Sequence, residues 1–353
     1  MDFTFTDDEL AFREAISRFL MVEAAPEVLR EIWETDSGRS PDLRHKMAEQ
    51  GMTALSVPEE CGGMGLGDVA WSLMTQELGY YGIPDSLADT AYVAEGLIND
   101  LPESIRDRQG WLERIAEGDV RIAVGHSVNP LVADAHLADL LLLEHEGEVH
   151  VLSREQVSLE DNPSIDSSRR LSRIRWEPSS STRLVDSENG RALWESALNR
   201  GALSAAGQLL GLAQRMLDLS VDYAAQRKQF GKPIGSFQAV KHQLADVAGK
   251  IEFAKPVLYR AAYALEHADP LVDVHVSQAK LACGDAAWLA ARHGIQVHGA
   301  MGYTWEVDLQ MFMKRTWALD PDWGDRGFHK SRVAAHVLMD DAQLGPGHTF
   351  REA

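Results

Sequence analysis

The spacing of apolar residues changes twice along this chain and divides it into three parts. In the first part apolar residues recur every three or four positions, as at Phe12 and Ile16, which predicts helices. The apolar runs then become short and alternate with polar residues, which predicts strands, before the helical spacing returns. The pattern predicts a mostly α-helical fold in which helical domains at 1–118 and 190–345 flank a shortened β domain at 119–185.

Boundary signals define the first helices. Thr6 followed by Glu9 is a capping box, and serine, proline and glycine signals bound a second predicted helix at 40–51. A third helix is predicted at 68–79. Between the last two, the segment 57–65 combines a proline with several glycines, which excludes a helix and predicts a tight, shaped loop.

The middle and last parts carry more specific expectations. Four strands are predicted in the middle part, with a hairpin turn at 145–147: Arg121–Ser127, Asp139–Glu144, Glu148–Leu152 and Arg169–Trp176. In the last part, stripes of small apolar residues predict four long antiparallel helices. Pro256 is expected to kink or split the helix that begins near Phe237, and the residues after Gly345 are expected to form a frayed tail.

Composition narrows the function classes. The 353 residues include 34 Lys and Arg against 54 Asp and Glu, a net charge of −20, and no basic run, which disfavours nucleic acid and anionic membranes as partners. The two cysteines, Cys61 and Cys283, lie far apart, which favours a reducing compartment. An acidic first segment is unlike a signal peptide, and no stretch reaches the roughly 18 apolar residues of a membrane span. We therefore expect a cytoplasmic protein.

The strongest chemical signal is the segment RKQFGKPIGSFQ, which begins at Arg227. A helix is predicted to end near Phe230, a glycine–proline turn follows, and a new helix opens around Phe237. The new helix start leaves backbone N–H groups unpaired, and such groups stabilise an anion. Arg227 adds a guanidinium suited to a pyrophosphate. The alternative is an ordinary turn with a solvent-exposed arginine.

A second signal, QVHGAMGYTWE, begins at Gln296. Its glycines close a helix and permit a ligand to approach the backbone. By itself it is also compatible with a glycine-rich helix end, but the two segments together favour a ligand site. Glu306 is interpreted as a structural residue of this segment.

These segments resemble those of acyl-CoA dehydrogenases, and the resemblance covers nearly the whole chain. Other matching segments are FTDDELAFREAISRFL, VPEECGGMGLG, DSSRRLSRIRW and AKLACGDAAWLAARHGIQVHG, in the family's order. The resemblance implies an N-terminal helical domain, a middle β domain and a C-terminal four-helix bundle. It also implies a dimer or tetramer in which FAD lies across a subunit interface.

The resemblance further assigns cofactor-binding residues. They would contact the adenine and pyrophosphate end of an FAD seated mainly in the neighbouring subunit, with Phe230 packing beside it: Arg227, Phe230, Phe237, Gln238, Gln296, Val297, His298, Gly299 and Ala300. His298 is expected to shape the loop rather than to act as a catalyst.

The chain departs from the family at the catalytic base. The family carries a glutamate in a Glu-Gly-Thr segment, but the corresponding stretch here is ALDPDWGD, with Trp323 at the glutamate position. The family's other base position falls near Gly201. No catalytic residue is therefore predicted. Asp322 and Asp325 are candidates for a displaced base, or they are turn or helix-cap aspartates.

The segment expected to hold the flavin ring departs as well, since AVGHSVNP at 123–130 replaces the family's Thr-Glu-Pro-Gly-type segment, and the usual tryptophan-containing strand beside the ring is represented only by 149–152. One half of the cofactor site survives while the other is eroded. Because a homo-oligomer must supply both halves from one chain, this asymmetry predicts a homologous partner in an α2β2 heterotetramer.

The expected reaction is acyl-CoA dehydrogenation, with electrons passing to an electron-transfer flavoprotein. By analogy, a steroid side-chain CoA is a reasonable substrate. The alternatives are a homotetrameric enzyme that uses Asp322 or Asp325, and a non-enzymatic scaffold.

Overall fold

Six helices build the N-terminal part of the protein in a computed structural model that describes residues 4–342, 344 and 345. The helices are α1 Asp7–Glu23, α2 Pro26–Glu34, α3 Pro41–Glu49, α4 Asp68–Tyr80, α5 Glu95–Asn99 and α6 Arg108–Glu117. The three helices predicted from their boundary signals are confirmed as α1, α3 and α4. Helix α2 was not predicted. A turn of π-helix at Asp89–Ala94 leads directly into α5.

The predicted caps are present. The Thr6 hydroxyl accepts from the Glu9 N–H at 3.2 Å, and the Glu9 carboxylate accepts from the Thr6 N–H at 2.7 Å. In the glycine-rich loop, a Cβ added at Gly63 would lie 1.8 Å from the Val57 carbonyl oxygen, so the loop depends on glycine there. The prediction that this segment contains no helix is wrong in one detail, because Glu59–Cys61 form a single turn of 3-10 helix.

The middle part contains seven short strands. They are β1 Ile122–Gly125, β2 Val132–Ala133, β3 Leu140–His145, β4 Glu148–Ser153, β5 Ser158–Asn162, β6 Leu171–Arg175 and β7 Arg183–Val185. They form two sheets, with strand orders β1-β3-β4-β7 and β2-β6-β5. The four predicted strands correspond to β1, β3, β4 and β6, and Glu146 and Gly147 form the predicted hairpin turn with φ of 51° and 87°. Strands β2, β5 and β7 were missed because they are short or mostly polar.

The prediction of four long helices in the C-terminal part is wrong, because this part contains three long helices and two short ones. Three are long, namely α7 Ser187–Gln226, α8 Gln238–Glu266 and α9 Val272–His298, and two are short, namely α10 Leu309–Leu319 and α11 Arg326–Val337. The short pair is interrupted at Pro321 and Gly324, which cannot continue a helix. Pro256 does not split α8, because its exposed position lets the buried Ile251 and Leu258 keep the helix packed on either side of it. Pro346 and the residues after it, where a frayed tail was expected, lie outside the described residues.

Helix α4 joins the N-terminal helices to the bundle by close contact with α7. A Cβ added at Gly207 would lie 2.0 Å from the Thr75 hydroxyl oxygen, and one at Gly211 would lie 2.0 Å from the Gln76 carbonyl oxygen. These glycines let the two helix backbones approach, and one hydrophobic core consequently runs through both parts. Within residues 4–342, 344 and 345, no helix combines the length and hydropathy that crossing a bilayer requires.

Candidate functional site

A short hairpin follows α7 and projects from the end of the bundle. Helix α7 ends at Gln226, four residues before the predicted end, and two-residue strands β8 Lys228–Gln229 and β9 Lys232–Pro233 pair across the tip. The tip residues Phe230 and Gly231 have φ of 51° and 79°, the left-handed conformation that a two-residue hairpin requires. The side chain of Phe230 is 91% exposed.

Helix α8 begins at Gln238, which agrees with the helix start predicted around Phe237. Phe237 is its N-cap residue and makes no side-chain capping hydrogen bond within the described chain, so the N–H groups of Gln238 and Ala239 in the first turn remain available to a ligand. The Lys232 ammonium lies 4.4 Å from the centroid of the Phe237 ring. Arg227 and Gln238 are exposed beside this helix start. These residues fit an anionic group such as a pyrophosphate.

The second predicted segment lies at the same end of the bundle. The His298 ring stacks on Tyr223 of α7 with a centroid distance of 4.2 Å, and the His298 Nδ1 lies 2.8 Å from the Gly294 carbonyl oxygen. Burial lowers the pKa of His298, in keeping with a loop-shaping role. The contact with Tyr223, near the end of α7, places the second segment at the same end of the bundle as the first.

Not every residue of the second segment reaches the surface. Gln296, Gly299 and Ala300 are exposed, whereas the side chains of Val297 and His298 are buried. Gly299 has φ of 60°, so the chain turns away from the axis of α9 at that point. Val297 and His298 can support a ligand loop, but their side chains do not face solvent.

The two residues predicted to stand at the family's base positions, Trp323 and Gly201, are in contact inside the protein. Trp323 is only 3% exposed, and a Cβ added at Gly201 would lie 2.1 Å from the Trp323 Cδ2 atom. The indole therefore packs directly on the backbone of Gly201. An indole ring has no proton acceptor suited to an α-proton, and Gly201 has no side chain.

The turn that carries Trp323 is held by side chains from separate elements. The backbone N–H of Trp323 donates to the Asn129 Oδ1 at 2.8 Å, and the His329 Nε2 donates to the backbone carbonyl of Trp323 at 3.0 Å. The Lys280 ammonium donates to the carbonyls of Asp320 at 2.6 Å and Gly324 at 3.3 Å. Burial lowers the pKa of Lys280 to about 8 and the pKa of His329 to about 4.

The two displaced-base candidates are both committed to other contacts. The Asp322 carboxylate accepts from the guanidinium of Arg169 at 2.9 Å. Asp325 is the N-cap residue of α11, and its carboxylate accepts from the Phe328 N–H at 2.8 Å. These contacts agree with the turn and helix-cap alternative.

A small cavity of about 40 Å³ lies beside Trp323 and is lined by Asp89, Arg169 and Asp322, among others. Ligand pockets for drug-sized molecules occupy about 300–1,000 Å³. An acyl chain does not fit this cavity, and a flavin ring does not fit it either. The space beside Trp323 is therefore too small for either group, whereas the predicted cofactor-binding residues Arg227, Gln238 and Gln296 at the end of the bundle are exposed.

Buried ion pairs surround the cavity and join all three parts of the chain. The pairs, with their N–O distances, are Arg39–Asp134 at 2.5 Å, Arg44–Asp85 at 2.6 Å, Arg121–Asp85 at 2.8 Å, Arg169–Asp322 at 2.9 Å and Arg315–Asp166 at 3.4 Å. This group was not predicted from the sequence because its members are scattered over most of the chain. No local spacing signals such a cluster, although charged residues inside apolar runs are a weak hint.

Asp89 gives this cluster a dependence on pH. Burial and the nearby carboxylate of Asp322 raise its pKa from 3.8 to about 7. The folded state therefore binds this proton more tightly than the unfolded state, and the resulting stability is lost as the pH rises towards and through about 7.

We expect Asp89→Asn to raise the free energy of unfolding by about 3–4 kcal/mol at pH 8 and by about 1–2 kcal/mol at pH 5. Asparagine keeps the shape of the side chain but cannot carry the negative charge. Denaturant titrations of both proteins at the two pH values measure the effect. An equal gain at both pH values would contradict the assigned charge effect.

Comparison with known proteins agrees with this architecture. The family model of the acyl-CoA dehydrogenase N-terminal domain matches residues 6–119, and that of the C-terminal domain matches residues 188–338. The chain is 32% identical over 318 residues to a Mycobacterium tuberculosis protein named acyl-CoA dehydrogenase IpdE2, a match that covers 88% of this chain and 91% of that one. The chain belongs to the acyl-CoA dehydrogenase family.

Two solved structures share its fold. The ChsE4–ChsE5 complex from Mycobacterium tuberculosis matches with a TM-score of 0.84 at 22% identity, covering 97% of this chain and 100% of the other. A steroid acyl-CoA dehydrogenase variant described as Tcur3481–Tcur3483 matches with a TM-score of 0.82 at 20% identity, covering 93% and 97%. FAD is the cofactor of this family. The domain bounds predicted at 118, 119–185 and 190 stay a prediction.

Proposed function

We propose that this chain is the base-lacking subunit of a heteromeric FAD-dependent acyl-CoA dehydrogenase. The observation that carries the proposal is the packing of Trp323 on Gly201, which leaves neither family base position with a carboxylate. The open surface at the end of the bundle retains the exposed residues expected to contact a nucleotide. A chain with one half of a site requires another chain that provides the other half.

In this proposal, the end of the bundle holds part of an FAD seated mainly in a homologous partner. Arg227 and the N–H groups at the start of α8 bind the pyrophosphate, while Phe230 and Phe237 pack against the nucleotide. Gln238, Gln296 and the backbone of Gly299 and Ala300 line the same surface. When bound, FAD accepts the β-hydride of the acyl group. This chain positions the cofactor, and the proton is removed by a carboxylate of the partner.

The proposed substrate is an acyl-CoA, and a steroid side-chain CoA is the favoured class. Two observations support this class. The chain is similar in fold to a protein described as a steroid acyl-CoA dehydrogenase, and the cavity beside Trp323 holds only about 40 Å³, too little for an acyl group. A heterotetramer in which only the partner binds the acyl group would have half as many acyl sites and more room for each substrate. The proposed partners are a homologous acyl-CoA dehydrogenase chain in an α2β2 heterotetramer and an electron-transfer flavoprotein. The cytoplasm is the proposed location.

Coexpression with candidate homologous chains tests the proposal. We expect the isolated chain to retain no FAD and to show no dehydrogenation of an acyl-CoA. We expect the complex with the correct partner to contain one FAD for each pair of chains, with a native mass of two chains of each kind. Flavin absorbance, mass photometry and bleaching of the flavin by an acyl-CoA provide the measurements.

The two other functions give different results in the same experiment. A homotetrameric enzyme would purify with FAD and lose activity in Asp322→Asn or Asp325→Asn, although the contacts of both aspartates with Arg169 and Phe328 disfavour this outcome. A non-enzymatic scaffold would form a complex without flavin. Either result would overturn the proposal.

A further inference from the structure

The Trp323 indole is buried, and the turn that carries it is held by side chains of the bundle and of the middle part. We propose that the Trp323 indole is a plug that fills the acyl position of this chain and joins its three parts, so that the fold needs no bound cofactor. The plug comprises the turn 320–324 and the side chains that hold it. This inference concerns the isolated chain and goes beyond the proposed function, because it would hold equally for an enzyme subunit and for a scaffold.

The position of the indole identifies what it replaces. The resemblance assigns to Trp323 and Gly201 the two positions at which the family carries its base, and a base at either position must reach the same α-proton. A side chain that fills the space between them therefore occupies the place of the reacting carbons. The remaining cavity of about 40 Å³ leaves no room for an acyl group.

Trp323 and Gly201 form a matched pair, in the sense that the ring fits only where the helix has no side chain. Gly201 lies within the 40-residue helix α7, where glycine is about 0.5–1 kcal/mol less favourable than alanine. Any Cβ at this position would lie 2.1 Å from the indole, so the helix accommodates the ring only with glycine. The unfavourable residue in the helix is explained by the presence of the ring.

The plug is also held in a conformation that the backbone alone would not favour. Trp323 has φ of 53°, which is rare for a bulky residue and persists only when its surroundings hold it. The surroundings are Asn129 from the middle domain, Lys280 from α9 and His329 from α11, which together bond the backbone of the turn. The remaining nitrogen of His329 lies 3.0 Å from the Ser277 hydroxyl oxygen, which fixes the ring.

The indole contacts the other two parts of the chain. The His126 ring, from the segment expected to hold the flavin ring, lies 6.0 Å from the Trp323 ring and 5.6 Å from the Trp194 ring. The Trp323 side chain also lines the same cavity as Asp89 in the N-terminal part, and its N–H acts to lower the pKa of that carboxyl. A single side chain thus bonds or packs against residues of all three parts.

Removal and chemical replacement of the ring test the proposal. Trp323→Gly suits the left-handed backbone and should lower the Tm of the isolated full chain by roughly 5 °C or more. Millimolar indole should then raise the Tm of the variant and leave that of the wild type unchanged, because the vacated space takes a planar ring. Indene, which lacks the N–H group, should give a smaller shift. An unchanged Tm in the variant, or an equal indole shift in both proteins, would overturn the proposal.

A double-mutant cycle tests the matched pair without relying on one variant. Gly201→Ala should lower the Tm strongly in the wild-type background and only slightly beside Trp323→Gly, because the clash partner is gone. If Trp323→Gly fails to fold, Trp323→Phe takes its place, and the cost of Gly201→Ala should still fall. An equal cost of Gly201→Ala in both backgrounds would refute the pairing. These melting data are independent of flavin retention by the complex, so the plug and the proposed function can fail separately.

Discussion

Replacing Arg227 with alanine should weaken FAD binding by the complex of this chain and its partner about 10- to 100-fold. The range corresponds to the loss of one hydrogen bond to a charged group, worth about 1.5–3 kcal/mol. Arg227 is exposed, within the described chain it forms no ion pair with a carboxylate, and it lies beside the uncapped start of α8. Its guanidinium is therefore free to bind a pyrophosphate. Equilibrium dialysis, or the rate of flavin loss on dilution, measures the change.

The control for this prediction is Arg18→Ala. Arg18 is an exposed arginine on α1 whose side chain is 66% accessible, so its removal changes the net charge by the same amount. FAD affinity should not change, since an exposed charge far from the site is screened by salt. Equal losses in the two variants would show a general charge effect and contradict a specific contact. Neither substitution should alter the Tm of the isolated chain by more than about 1 °C.

Replacing Asp85 with alanine should lower the free energy of unfolding by about 3–5 kcal/mol. The Asp85 carboxylate pairs with Arg44 at 2.6 Å and with Arg121 at 2.8 Å, and the side chains of Asp85 and Arg44 are 4% and 5% exposed. Removing the carboxylate leaves the guanidinium groups of Arg44 and Arg121 beside each other without the counter-charge that they share. Nearby arginines already lower the pKa of Asp85 to about 2, so this carboxylate stays ionised at neutral pH. Denaturant titration of the full chain provides the measurement.

A surface pair supplies the matched control. Glu160 pairs with Arg175 at 2.7 Å, a similar distance, but their side chains are 58% and 73% exposed. Glu160→Ala should change the free energy of unfolding by less than about 1 kcal/mol, because exposed pairs are weak. A cost at Asp85 as small as that at Glu160 would mean that water reaches the buried ion pairs. The difference between the two variants isolates the effect of burial.

Local sequence signals predicted several of the regular elements and the exposed surface that we propose binds FAD. Thr6 and Glu9 specified the start of α1 because a capping box acts within one helical turn. The segments that begin at Arg227 and Gln296 marked the end of the bundle, since glycine, proline and helix boundaries leave a contiguous pattern. The sequence also identified Trp323 and Gly201 as departures from the family at the base positions.

Only the tertiary structure decided what surrounds the two predicted base positions. The packing of Trp323 on Gly201 depends on how the turn after α10 approaches α7, and the two residues are more than one hundred positions apart. The ion pairs around the cavity likewise join residues such as Arg39 and Asp134, whose pairing no local pattern encodes. Burial also separated Gln296 from Val297 and His298, although the three are adjacent in sequence. Long-range packing fixes these features, because contact and burial depend on which elements meet and not on the spacing within any one of them.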